Sequence, residues 1–128
     1  MLLIGVREEN GWLSARWNLT YPVGWQHICK AVATMYDFNK NPEVLVDGNA
    51  VEVSDKQDIL NIEEGGDMVI RGYSTIVNCP LMITFYNQTQ AVDVTVPCMA
   101  GEFSEADYQK FNLALGQYMD SIELAMYR

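Results

Sequence analysis

A chain of 128 residues, 49% apolar and 20% charged, has the profile of one globular domain rather than of a disordered segment. Its formal net charge of −9 argues against direct binding to nucleic acid, whose phosphates are neutralised by cations. No apolar run approaches the roughly 20 residues of a membrane helix, and "MLLIGV" lacks the length, basic start and cleavage site of a signal peptide, so a cytoplasmic location is expected.

The chain opens on a hairpin signal. Asn10-Gly11 supplies two residues that accept positive φ between runs of apolar residues. A two-residue turn there sets Val6 opposite Ala15, Ile4 opposite Trp17 and Leu2 opposite Leu19, all on one core-facing side. Leu3, Gly5, Arg7, Trp12, Ser14, Arg16 and Asn18 take the other side. After Pro22, Trp25, Ile28, Cys29, Val32, Met35 and Tyr36 recur at helical spacing. Asn39 to Pro42 ends that helix, because the residue before a proline avoids the α region.

A strand, an Asp47-Gly48 turn and a short strand follow, with Val44 and Val46 on one face and Leu45 on the other. Ile59, Leu60 and Ile62 in a polar stretch suffice for one helical turn that plugs the end of a core. Asp67–Gly72 reads as a strand with Met68 and Ile70 inward. A second hairpin, turning at Gln88-Thr89, places Phe85 opposite Val92, Ile83 opposite Val94 and Leu81 opposite Val96. Pro80 and Pro97 mark where its pairing ends. A last helix carries a capping pair at Ser104 and Asp107, a staple at Phe103 and Tyr108, and a stripe of Phe111, Leu115, Tyr118, Ile122 and Ala125. Gly116 inside it predicts close packing against a neighbour.

Over residues 1–73 the order is hairpin, helix, strand, short strand, helical turn, strand. That layout, with "VLVDGNAVEV" and then "LNIEEGGDMVIR", resembles the β-grasp of the ubiquitin-like family. The resemblance implies an α+β fold, a ubiquitin-like β-grasp (ββαββ) extended over residues 74–128 by a β-hairpin and a C-terminal amphipathic helix into one unit. It implies that strand 1 lies parallel beside the Asp67–Gly72 strand, with the 22–38 helix on the concave face. The matching core positions are Leu2, Ile4, Val6, Trp17, Ile28, Val32, Val44, Val46, Leu60, Met68 and Ile70. The C-terminal helix needs an apolar surface, and Leu3, Leu45 and Val69 on the outer face offer one. Conjugated and sulfur-carrying members end on Gly-Gly. Here Gly65-Gly66 stands in a loop and is read as a turn needing positive φ.

Little in the chain points to chemistry. His27 is the single histidine, and nothing locates an acid or nucleophile beside it. Cys29, Cys79 and Cys98 lack the close spacing of a zinc site, and Cys79 and Cys98 read as reduced neighbours across the second hairpin. There is no phosphate-cradling glycine motif. No metal or other cofactor is expected, and the reading is non-enzymatic.

The charge is uneven. Glu43, Asp47, Glu52, Asp55, Asp58, Glu63, Glu64 and Asp67 face only Lys56 within one stretch. A solvated edge is one reading. The other is a docking face for a basic protein partner, centred on Asp55, Asp58, Glu63, Glu64 and Asp67. Two functions fit it: a small acidic protein-binding adaptor or regulator, or a phage-type acidic inhibitor, such as an anti-CRISPR protein, that occupies a basic nucleic-acid-binding groove. If the segment only solubilises, the binding face falls to Trp12, Arg7, Arg16 and the second hairpin.

Overall fold

The computed structural model describes residues 1–9, 11–97 and 105–127, with side chains for all of these except 8, 9, 97, 105–112 and 114. In chain order the elements are β1 (Leu2–Glu9), β2 (Trp12–Val23), α1 (Trp25–Tyr36), β3 (Asn39–Val46), β4 (Asn49–Val51), α2 (Lys56–Leu60), β5 (Asp67–Ser74), β6 (Cys79–Tyr86), β7 (Thr89–Pro97) and α3 (Glu105–Met126). The strands form one antiparallel sheet in the order β1-β2-β7-β6-β5-β3-β4.

The α+β class holds, but the pairing differs from expectation. β1 and β5 are not parallel neighbours, because the β6–β7 hairpin stands between β2 and β5. The reason is a long apolar match. β7 sets Val96, Val94 and Val92 opposite Leu13, Ala15 and Trp17, while β6 sets Phe85 and Ile83 opposite Met68 and Ile70. The β6 pairs take the edge of β5 that a parallel β1–β5 contact would need, and β1 is left at the rim of the sheet. The second hairpin is therefore the middle of the sheet, and its register is the expected one, with Phe85 opposite Val92 and Ile83 opposite Val94.

One face of the sheet is dry. Trp17, Val44, Met68, Ile70, Ile83, Phe85, Val92 and Val94 are all buried there. Six strand intervals of about 4.8 Å make such a face roughly 29 Å wide, whereas a helix covers about 10 Å. One helix cannot cover it, and α1 and α3 pack against each other on this side. A β-carbon at Gly116 would meet the Trp17 ring at 3.6 Å, so α3 lies close over β2, as its glycine predicted. Leu45 and Val69 lie on the opposite face and are not beneath α3, contrary to expectation. Leu3 does turn inward, for a separate reason.

That reason is a bulge in β1 between Leu3 and Gly5. Val6 stands opposite Ala15 as expected, but the extra residue reverses the faces beyond it. Leu3 then faces Trp17, and Leu2 and Ile4 are 66% and 52% exposed rather than core residues. Val6, at the sheet edge, is also exposed. The plug at the other end is Ile59, fully buried, with Leu60 and Val46 only half-buried against the core. The Ser104–Asp107 cap, the Phe103–Tyr108 staple and the Cys79–Cys98 neighbourhood lie outside the described residues.

Candidate functional site

The acidic segment folds into a groove. Asp47 and Gly48 turn the chain with φ of 51° and 82°, the conformation their hairpin requires. That turn approaches the loop after α2 so closely that a β-carbon at Gly65 would lie 2.5 Å from Val46 Cγ1. Gly65 and Gly66 are thus glycines for want of space, and neither has the positive φ expected of it. Gly66 N and Asp67 N donate to Asp47 Oδ1 at 2.8 and 3.1 Å, and Asp47 N donates back to Asp67 Oδ1 at 3.1 Å. Trp25 Nε1 donates to Ile62 O at 2.9 Å and ties the loop to α1.

Between the turn and the loop lies a cavity of about 790 Å³. Asp47, Glu52, Asp58, Glu63 and Glu64 line it together with the half-buried Val46, Val51 and Ile62. Among the described residues no lysine or arginine lines it. Lys56, the cation of this stretch, pairs instead with Asp37.

Of the five carboxylates expected to meet a partner, the groove gathers Asp58, Glu63 and Glu64. Asp55 is the N-cap of α2 and accepts from Asp58 N at 3.0 Å, and Asp67 belongs to the clamp with Asp47. Asp58 accepts from Ser54 N at 2.8 Å, and Glu64 from Asn87 Nδ2 at 2.9 Å. Sequence reading passed over Asp47 and Glu52 as site members. The Asp-Gly turn was the available signal, since it brings both of its flanks to one end of the sheet.

The outer sheet face is built differently. Register places Glu43, Arg71, Met82, Thr95 and Ser14 in one row across β3, β5, β6, β7 and β2. In the adjacent row Arg16 stands opposite Asp93 and donates to it twice, at 2.7 and 2.8 Å. Tyr86 donates to the same carboxylate at 2.6 Å, and the Arg16 guanidinium lies over its ring. The Arg16 hydrogen bonds hold Asp93 below the ordinary carboxylate value, while burial and then Asp93 push Tyr86 up to about 12.

The remaining chemical candidates stay apart. His27 is half-buried with its ring 5.9 Å from Tyr127. Cys29 and Cys79 are free thiols, and burial pushes Cys29 up to about 11, far from a reactive thiolate. Among the described residues no three His, Cys, Asp or Glu are placed to hold a metal ion, and no helix is long and apolar enough to cross a membrane.

No protein-family model matches this chain, and comparison with curated proteins and with solved structures finds no match.

Proposed function

We propose that this chain is a non-enzymatic protein-binding module whose acidic groove receives a basic segment of another protein. The supporting observation is the groove itself: five carboxylates beside Val46, Val51 and Ile62, with no cation among the described residues that line it. Lysine or arginine side chains of a partner would supply the missing charge, and their apolar stems would lie on Val46, Val51 and Ile62. The half-buried Val46, Val51 and Ile62 among the carboxylates favour this over an inhibitor that fills a basic nucleic-acid groove, which would need the carboxylates alone. The ubiquitin-like resemblance contributes element order only, since the β1–β5 pairing it implies is not formed.

The test is a labelled synthetic peptide alternating lysine and valine, read by fluorescence anisotropy. Glu52 and Glu63 make no hydrogen bond among the described residues, so reversing both to lysine should leave the scaffold intact. Binding should fall more than tenfold, whereas reversing Asp120 on α3 should leave it nearly unchanged, because screening acts over about 8 Å. Equal effects at the two places would reduce the segment to a solubilising edge.

A further inference from the structure

A second cavity, of about 600 Å³, lies at the other end of the outer face. It owes its shape to a bulge in β3 between Lys40 and Glu43, where Asn41 takes a φ of 51°. Gly72 permits that approach, since a β-carbon there would lie 3.0 Å from Lys40 O and 3.2 Å from Pro42 Cα. Trp12 forms one wall and is 47% exposed, whereas Trp17 and Trp25 are each 6% exposed. Met82 and Pro80 also line it, together with Arg71, Glu43 and Asn41.

Two features set the chemistry. Trp12 offers a flat apolar face on which a ring can stack. Beside it, Arg71 Nε donates to Glu43 Oε2 at 2.9 Å. The terminal guanidinium N–H groups and Glu43 Oε1 have no partner among the described residues, so a donor and an acceptor stand side by side. Their charges cancel, which leaves the site without a preference for an ion, and the chain's net charge of −9 repels anions.

We propose that this cavity binds a neutral planar heterocycle through a lactam edge, a ring carbonyl beside a ring N–H, as hypoxanthine, guanine and uracil present. The ring stacks on Trp12, Arg71 donates to the carbonyl and Glu43 accepts from the N–H. A nucleoside fits; its phosphorylated form is disfavoured. The volume is in the range of small-ligand pockets, which begins at about 300 Å³.

Because Trp12 is the exposed tryptophan, quenching of intrinsic fluorescence reads the site directly. Inosine should quench it saturably, and 1-methylinosine, which lacks the ring N–H, should bind about three- to tenfold more weakly. In Glu43→Leu, folded by circular dichroism, that ratio should fall to near one. Inosine monophosphate should bind more weakly than inosine. Absence of saturation up to the solubility of inosine, equal binding of the two nucleosides, an unchanged ratio in Glu43→Leu, or preference for the phosphate would each overturn the proposal. None of these outcomes bears on the acidic groove, which lies on other loops.

Discussion

The carboxylates of the outer face and those of the groove are chemically alike and serve different ends. Asp93 is held by Arg16 and Tyr86, and Glu43 by Arg71, each across neighbouring strands. Glu123, 6% exposed on α3, accepts from Thr20 N at 2.9 Å and lies 2.7 Å from the Met1 ammonium. These charges are neutralised within the chain and fix strands and helix together. In the groove, among the described residues, Asp47, Asp58 and Glu64 meet only neutral donors, and Glu52 and Glu63 meet none. What the chain leaves unneutralised is what a partner can use.

Breaking the best-buried member should cost most. Glu123→Ala leaves the Thr20 amide without its acceptor and, among the described residues, the ammonium with only the exposed Asp120, at 3.0 Å. A loss of about 2–4 kcal/mol in urea unfolding is expected. A loss below about 0.5 kcal/mol would place Glu123 with the groove carboxylates instead.

Asp47 should come next. Asp47→Ala removes the acceptor of two backbone amides, at a cost of about 1–2 kcal/mol. Asp47→Asn keeps an oxygen and tolerates the left-handed backbone, so it should cost less, and comparing the two in thermal unfolding separates the clamp from the charge.

Asp93 gives a smaller effect with a pH signature. Its carboxyl is depressed in the folded state, so its contribution is present in full above the ordinary value of 3.8 and is lost as pH falls through the lower folded value. Half of Arg16 is exposed, so the contribution at neutral pH is about 1 kcal/mol or less. Asp93→Asn should reduce stability at pH 7 and flatten its decline below pH 4. An unchanged acid limb would mean that the pair is not formed in solution.

Local features of this fold were readable because they are set by neighbours in sequence. The second hairpin's register follows from alternation alone, and α1 from its stripe. The sheet order was not readable, because hairpin signals say which strands turn back on themselves and not which edges then meet. The β1 bulge was missed because Gly5 fits a straight strand as well as a bulged one, and one residue of slip exchanges Leu2 and Ile4 for Leu3. At the groove, composition marked the right segment but could not divide its charges into those that cap and those that face a partner. Asp55 and Asp67 make internal bonds that only the folded turn and helix create. Glu123 shows the same limit: on a helix surface by sequence, it is buried against Thr20 and Met1.

The smallest effect on stability should come with the largest effect on binding. Glu52→Lys with Glu63→Lys takes the net charge from −9 to −5, since each exchange adds two positive charges. Neither residue makes a hydrogen bond among the described residues, so unfolding should shift by no more than about 0.5 kcal/mol, and relief of repulsion favours a slight gain. The same pair should remove most of the lysine–valine peptide's affinity, chiefly through slower association, and the loss should shrink as salt rises. Asp93→Asn should do the reverse, costing stability while leaving peptide binding unchanged. A double reversal that unfolds the chain would show that these two carboxylates are structural after all, and the division between internal and available charge would fall with it.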